Sequence, residues 1–224
     1  MAISGILFDM DGLLVDTEPL WLVAEEATMR SLGATWTQAD QLAILGGPLE
    51  HAAHYMVGRS GTELSAHEVG QRLIRRMLEL LRTEPITLQP GAAELVGRVA
   101  ASPSAVPALL TGNVARGARI KLSAAGLWDR FRFGVFGDEA SRRVDLGPIA
   151  LARALETTGR PYTPEETVVV GDARADVECG RAIGARVVAV ATGRTSAAEL
   201  RAAGADAVFD SFADVPSALE AILD

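Results

Sequence analysis

Four short apolar runs along the chain predict buried β-strands. They cover residues 6–8, 108–110, 168–170 and 187–190. Such runs are too short for helices and are bounded by turn signals, which is typical of strands covered on both faces of a sheet. Helical stretches lie between the later runs, with Asn113 and Asp176 as expected caps and Ser196 with Glu199 as a capping box. Strands that alternate with helices predict βαβ units and a parallel sheet.

A second pattern occupies residues 16–86, where helical periodicity continues without a convincing strand. Ser65 and Glu68 form a further capping box ahead of an amphipathic stretch in this segment. We therefore expect an α/β fold, with a doubly wound, Rossmann-like parallel sheet built from residues 1–15 and 87–224. The segment between them is expected to be an inserted all-helical domain.

Composition and charge narrow the classes of function. The 224 residues are 49% hydrophobic, which excludes a disordered chain. The formal net charge of −8, without a basic run, argues against nucleic acid or an anionic membrane surface as a partner. A single cysteine excludes a disulfide framework, and we find neither a signal peptide nor the roughly 20 apolar residues that a membrane span needs. We expect a cytoplasmic monomer or homodimer.

Three polar motifs stand directly after three of the predicted strands. Their members are Asp9 and Asp11, then Thr111, Gly112 and Asn113, and finally Asp172 and Asp176. Each motif alone is common as a turn or a helix cap. In an open parallel sheet, however, ligands bind at the carboxyl ends of the strands. If the three strands are neighbours, the motifs converge on one crevice.

Clustered carboxylates of this kind favour a metal site. Like charges a few ångströms apart raise each other's pKa unless a cation neutralises them, and Mg²⁺ binds two carboxylates together with water and a substrate phosphate. One carboxylate can attack phosphorus and form an aspartyl-phosphate, while a second can protonate the leaving oxygen and then activate water. Thr111 and the backbone amides that follow it would form an anion cradle.

In order and spacing, the motifs resemble those of the haloacid dehalogenase (HAD) superfamily, in the subfamily whose helical cap is inserted after the first strand. Its first motif is similar to DMDGLLVDTE at 9–18, its second to LTGN at 110–113 and its fourth to GDARAD at 171–176. The resemblance covers essentially the whole chain.

The resemblance implies a role for each matching residue. Asp9 would be the nucleophile, and Asp11 would be the general acid and base that also lends its backbone carbonyl to the metal. Thr111 would hold the phosphoryl group, with Gly112 and Asn113 beside it. The ligands of Mg²⁺ would be Asp9, Asp11, Asp172 and Asp176.

The third motif departs from the family, which usually places a lysine there. The matching segment, 136–146, contains Arg142 and Arg143 but no lysine. Some family members with a similar Thr-Gly-Asn motif use arginine there, so the resemblance implies that Arg143 fills the role. A guanidinium stays charged and can hold a phosphate with two hydrogen bonds. Arg142 is the alternative in register, and both arginines could instead be solvated. Lys121 is expected to be a poor substitute, since a helical rise of 1.5 Å per residue puts it about 15 Å from Thr111.

The cap would set the choice of substrate. Glu18 lies at the hinge, and Gly46 and Gly47 belong to a loop that looks like the family's specificity loop. The implied partner is a small phosphorylated metabolite, such as a sugar phosphate or phosphoglycolate.

A Mg²⁺-dependent phosphatase that acts through phospho-Asp9 is the predicted function. The first alternative is a phosphosugar mutase resembling β-phosphoglucomutase, against which the scarcity of cap cations between Asp11 and Arg59 counts. A catalytically idle binding scaffold and a haloacid dehalogenase are the others. The presence of Asp9, Asp11 and Asp172 opposes an idle scaffold, and the second carboxylate, Asp11, opposes a carbon–halogen hydrolase.

Overall fold

The computed structural model describes residues 5–44, 49–140 and 142–223. They form two compact units: Met1–Asp16 joined to Ile86–Asp224, and Thr17–Pro85. We call these the α/β unit and the helical unit. The helical unit is one residue shorter at each end than the expected 16–86, and the α/β unit is longer by those two residues.

Eight strands occur in the described residues, all of them in the α/β unit. They are β1 Gly5–Phe8, β2 Val15–Asp16, β3 Thr87–Leu88, β4 Val106–Leu110, β5 Gly134–Val135, β6 Thr167–Gly171, β7 Arg186–Val190 and β8 Ala207–Phe209. Six of them form one parallel sheet in the order β5-β4-β1-β6-β7-β8. The four predicted runs all lie within it, so the predicted parallel sheet is confirmed. The short strands β5 and β8, and the antiparallel pair β2–β3, were not predicted.

Strand β1 is the point at which the order of the sheet reverses. It pairs with β4 on one side and with β6 on the other, and the chain then continues outward through β7 and β8. Every residue of β1 and β6 is buried. Because successive residues of a strand point to opposite faces, both faces of the sheet are covered. This is a doubly wound sheet, with its ligand crevice expected at the carboxyl ends of the strands around β1.

Ten α-helices occur in the described residues. They are α1 Glu18–Ser31, α2 Gln38–Ile44, α3 Leu49–Ser60, α4 Ala66–Thr83, α5 Ala92–Ala101, α6 Ala115–Ala124, α7 Leu146–Thr158, α8 Arg174–Ala182, α9 Ala197–Ala203 and α10 Val215–Leu223. The capping box of Ser196 and Glu199 is confirmed at the start of α9. The two expected single caps are wrong: Val114 precedes α6, and Asp176 lies inside the first turn of α8. The side chain of Asn113 has partners at the strand ends instead, and that of Asp176 reaches back to backbone N–H groups just before α8.

The helical unit contains α1 to α4 and, in its described residues, no strand. Its buried apolar side chains come from all four helices, and the capping box of Ser65 and Glu68 at the start of α4 is confirmed. Asp40 of α2 joins α2 to α3, because its carboxylate accepts hydrogen bonds from Tyr55 at 3.0 Å and from Arg59 at 2.8 Å. No described helix is both long enough and apolar enough to cross a bilayer.

Candidate active site

Side by side, the strands β4, β1 and β6 bring the three predicted motifs to one edge of the sheet. Asp9 follows β1, and its backbone N–H donates to the carbonyl of Val170 in β6 at 2.9 Å. Thr111 follows β4, and Asp172 follows β6. All of these residues belong to the α/β unit. The expected convergence of the motifs therefore occurs within one compact body.

Asp9, Asp172 and Asp176 form a buried carboxylate cluster. One oxygen from each of them lies within 4.8 Å of the others. Burial raises the pKa of Asp172 and of Asp176, and the negative charge of Asp9 raises both further. Oδ1 of Asp172 is buried and has no hydrogen-bond partner in the described part of the chain. A cation beside these oxygens would relieve both the repulsion and the missing contact.

Two glycines lie directly against the Asp172 carboxylate, where any side chain would overlap with it. Gly12 has φ +82°, and a Cβ on it would stand 2.4 Å from Oδ2 of Asp172. A Cβ on Gly193 would stand 1.7 Å from the same oxygen. These separations are too short for any side chain, so the loop after β1 and the loop after β7 must both carry glycine for Asp172 to sit where it does.

Asp176 is held by backbone as well as by charge. Its Oδ2 accepts from the N–H groups of Asp172 at 3.1 Å and Ala173 at 3.0 Å. These N–H groups belong to the two residues just before α8, and a side chain at the third helical position reaches back to them. Oδ1 of Asp176 contacts Nη2 of Arg143. The carboxylate thus links the start of α8 to the cluster.

Arg143 supplies the positive charge of this cluster. It lies in the short 3₁₀ turn that precedes α7, and its Nη2 is 2.9 Å from Oδ1 of Asp9 and donates to the carbonyl of Leu110 at 2.9 Å. Burial acts to lower the pKa of Arg143, but Asp9 and Asp176 raise it above its ordinary value, so the guanidinium stays charged. Arg142 is exposed and pairs with Asp145 at 2.7 Å. Of the two arginines, Arg143 lies in the site and Arg142 does not.

Lys121 also lies in the site. We expected it to be too far away, because helical rise alone puts it about 15 Å from Thr111, but its side chain extends to the end of β4. Its Nζ donates to Oδ2 of Asp11 at 2.7 Å and to Oδ1 of Asn113 at 3.1 Å. Helix α6 begins only at Ala115, so about 9 Å of helical rise separates its first residue from Lys121. Side chains on a helix lean toward its N-terminus, and the lysine therefore reaches back to the end of β4.

Asn113 connects the second motif to Asp11. Its Nδ2 donates to Oδ2 of Asp11 at 2.7 Å and to Oγ1 of Thr111 at 3.1 Å. The Thr111 hydroxyl also accepts from the backbone N–H of Asn113 at 3.2 Å. Gly112 lies between them in the exposed loop. The Thr-Gly-Asn triplet is therefore a polar bridge to Asp11, not the start of the helix.

A sequence signal for Lys121 did exist. It is the single lysine among 21 basic residues, and it lies on the buried face of α6 with Ala118 and Leu122. A charged side chain on the inward face of an amphipathic helix needs a partner, and Asp11 is that partner here.

Three predicted site residues belong to the segment that was expected to be the cap. Glu18 is the first residue of α1, in the helical unit. Gly46 and Gly47 lie outside the described residues.

The donor set fits a divalent cation. Counted as fully ionised, the cluster of Asp9, Asp172 and Asp176 contributes −3 and Arg143 contributes +1, which leaves a formal charge of −2. All the side-chain ligands are carboxylate oxygens, which suit a hard ion such as Mg²⁺. Oδ1 of Asp172, which is buried without a hydrogen-bond partner among the described residues, is one oxygen that such an ion would contact. Asp9, Asp172 and Asp176 are therefore the residues that could hold the ion.

A family comparison agrees with this geometry. The family model described as haloacid dehalogenase-like hydrolase matches residues 6–190, which include all of the strand-end residues described above. The chain belongs to this family. The resemblance expected from the sequence motifs is thereby confirmed.

Relatives of this hydrolase match it over most of their length. Hexitol phosphatase A of Escherichia coli strain K12 is 32% identical over 85% of this chain and 84% of its own. The phosphorylated carbohydrates phosphatase of Thermotoga maritima is 28% identical over 81% of this chain and 82% of its own. A solved structure from Thermotoga maritima, described as a candidate beta-phosphoglucomutase, has a TM-score of 0.84 at 24% identity and covers 97% of this chain and 98% of its own. That likeness bears on the fold alone.

Proposed function

We propose that this hydrolase is a Mg²⁺-dependent phosphatase that acts on a small phosphomonoester through a phospho-Asp9 intermediate. The observation that supports it most is that the two aspartates after β1 have different partners. Asp9 lies beside Arg143 at 2.9 Å in the carboxylate cluster, and Asp11 lies beside Lys121 and Asn113 at 2.7 Å each. Two carboxylates held in separate environments suit two tasks, nucleophile and general acid and base.

The first half of the proposed reaction transfers the phosphoryl group to the enzyme. A carboxylate oxygen of Asp9 attacks phosphorus, the bond from phosphorus to the ester oxygen breaks, and Asp11 gives its proton to that leaving oxygen. Arg143 offsets the negative charge of the phosphoryl oxygens near Asp9. Thr111 is suited to donate a hydrogen bond to the same group, because it follows the adjacent strand β4. The alcohol then leaves.

The second half returns the enzyme to its starting state. Asp11, now a carboxylate, takes a proton from water, whose oxygen attacks phosphorus. The bond between phosphorus and Asp9 breaks, and inorganic phosphate is released with Asp9 as a free carboxylate. When bound by Asp9, Asp172 and Asp176, Mg²⁺ would supply positive charge that lets two anions, the phosphate and the nucleophile, approach each other.

A phosphorylated carbohydrate is the proposed class of substrate. Two relatives that match over more than four-fifths of this chain carry the names hexitol phosphatase and phosphorylated carbohydrates phosphatase. Oxygen-rich alcohols are poor leaving groups, so a general acid such as Asp11 is of use in releasing them.

Phosphate release from a panel of phosphomonoesters, with and without Mg²⁺, tests the proposal. The panel should contain hexitol phosphates, aldose phosphates, phosphoglycolate and nucleoside monophosphates. Asp9→Asn is the blank, and Asp129→Asn, a change at an exposed aspartate of the α/β unit, is the matched control. We expect Mg²⁺-dependent release that survives in the control and disappears in the blank.

Two results would contradict the proposal. Release that persists in Asp9→Asn would remove the nucleophile from the mechanism. Silence across the panel, followed by interconversion of a sugar monophosphate when its bisphosphate is added, would assign the same core residues to a mutase.

A further inference from the structure

We infer that Lys121 is a positioning residue that fixes the orientation of the Asp11 carboxylate for proton transfer. The inference rests on the proposed function and concerns a residue outside the four sequence motifs. Lys121 comes from the second turn of α6, is 5% exposed, and ends on Asp11.

Two donors converge on one oxygen of Asp11. Nζ of Lys121 and Nδ2 of Asn113 each lie 2.7 Å from Oδ2. Nζ also donates to Oδ1 of Asn113 at 3.1 Å, so lysine, amide and carboxylate form a closed triangle. A carboxylate held by two donors at one oxygen loses rotation about its side-chain bonds, and proton transfer depends on that orientation.

A packing role does not explain a lysine at this position. Burial of an ammonium is costly, and an apolar side chain of similar length would fill the same space without that cost. Ala118 and Leu122, which flank it on the buried face of α6, do the ordinary packing. The positive charge of Lys121 is therefore explained by its contact with Asp11 and not by packing.

A phosphate-binding role is also less suited to the contacts. The hydrogen bonds of Nζ go to Asp11 and Asn113, whereas the nucleophile Asp9 has its own cation in Arg143. Each of the two aspartates after β1 thus has a separate positive partner. Loss of Lys121 should disturb the acid and base more than the binding of phosphate.

This division predicts a dependence on the leaving group. An alkoxide from a sugar phosphate needs the proton of Asp11, and the p-nitrophenolate from p-nitrophenyl phosphate departs without one. Lys121→Met removes the charge and keeps the length of the side chain. It should lower kcat for the best sugar phosphate by about tenfold to a hundredfold, a part of the full contribution of a general acid, with KM little changed. The first step with p-nitrophenyl phosphate should be nearly unaffected.

Rapid mixing with p-nitrophenyl phosphate separates the two half-reactions. Asp11 is still needed as the base that activates water, so Lys121→Met should release a burst of one p-nitrophenolate per active site and then turn over slowly. Arg119→Met is the matched control, since Arg119 is an exposed cation on the same helix that lies over the Trp128 ring. It should behave as the unchanged protein does, with both proteins folded by circular dichroism.

Several results would overturn the inference. Equal loss in the first step with both substrates, a rise in KM or in the inhibition constant of inorganic phosphate with kcat unchanged, or no change at all would each remove the positioning role. Failure of the proposed function would look different: the unchanged protein would release no phosphate, or would release it equally well with Asp9→Asn. In that case both the proposed function and this inference would be wrong.

Discussion

Asp9 and Asp11 stand two residues apart after the same strand, yet the two halves of the site around them differ in charge. On the Asp9 side, three buried carboxylates share one guanidinium, which leaves a formal charge of −2. On the Asp11 side, one carboxyl group faces one ammonium and one amide. Their exposure differs too, because the Asp9 side chain is 10% exposed and that of Asp11 is 36% exposed.

The difference separates two requirements that a phosphatase of this design must meet. The Asp9 side needs an added cation, since its own charges do not balance and burial strengthens their repulsion. On the Asp11 side, the lysine and the amide both donate to the same carboxylate oxygen, so we assign them a role in its geometry. A metal is therefore expected to matter for binding and attack, and Lys121 for the movement of the proton.

The largest expected effect comes from replacing the two aspartates one at a time. Asp9→Asn should lower kcat/KM by about a thousandfold or more for every ester, because it removes the nucleophile. Asp11→Asn should lower it by roughly a hundredfold or more for sugar phosphates and much less for the first step with p-nitrophenyl phosphate. Steady-state and burst kinetics with both esters measure this. Equal sensitivity of the two esters to Asp11→Asn would contradict the assignment.

Arg143→Met comes next in size. It removes the guanidinium that pairs with Asp9 and Asp176, and we expect kcat/KM at saturating Mg²⁺ to fall by about a hundredfold to a thousandfold, as for loss of one charge-stabilising donor. Arg143→Lys keeps the charge and should recover part of the activity. Arg142→Met is the matched control, since Arg142 pairs with Asp145 on the surface. Unchanged turnover in Arg143→Met or Arg143→Ala would show that the third motif lies elsewhere.

A double-mutant cycle tests whether Lys121 acts through Asp11. If it does, Lys121→Met should cost about tenfold or more in the unchanged protein and little in the Asp11→Asn background, because coupled residues are not additive. The measurement is kcat for the best sugar phosphate in the four proteins of the cycle. Additive losses would mean that the lysine acts independently of Asp11.

The comparison also marks what the sequence could and could not predict. The four longer strands of the sheet and the capping boxes follow from local rules of period and turn chemistry, so they were predictable. The convergence of the motifs could be predicted only on the condition that their strands are neighbours. Arg143 could be chosen over Arg142 only as a preference, since a shift of one residue turns a side chain from solvent toward the sheet. Lys121 was missed because its reach depends on where α6 begins and how it leans, which are facts of three-dimensional placement.

A smaller effect is expected in the helical unit, where Glu25 is buried and forms no ion pair within the part of the chain that the structure describes. Burial raises the pKa of Glu25 from 4.5 to about 7, and the charges of Glu18 and Glu26 add to this. The folded state thus holds a proton that the unfolded chain has lost, so the contribution of Glu25 to stability falls as the pH rises from about 4.5 to about 7.

Glu25→Gln should remove that pH dependence and stabilise the protein by about 1–3 kcal/mol above pH 7. Glu26→Gln, a change at the exposed neighbour, is the control. Urea midpoints measured between pH 4.5 and pH 8 give the difference. Parallel curves for the unchanged protein and Glu25→Gln would contradict the raised pKa.

Titration of Mg²⁺ by calorimetry tests the difference between the two halves of the site most directly. We expect the unchanged protein to bind one Mg²⁺ ion. Asp172→Asn should weaken the affinity for Mg²⁺ by about tenfold or more, because it removes a carboxylate from the Asp9 side of the site. Lys121→Met should leave the affinity nearly as it was. If Asp172→Asn bound Mg²⁺ as tightly as the unchanged protein does, or if Lys121→Met changed the affinity as much as Asp172→Asn, the assignment of the cation to the Asp9 side would be wrong.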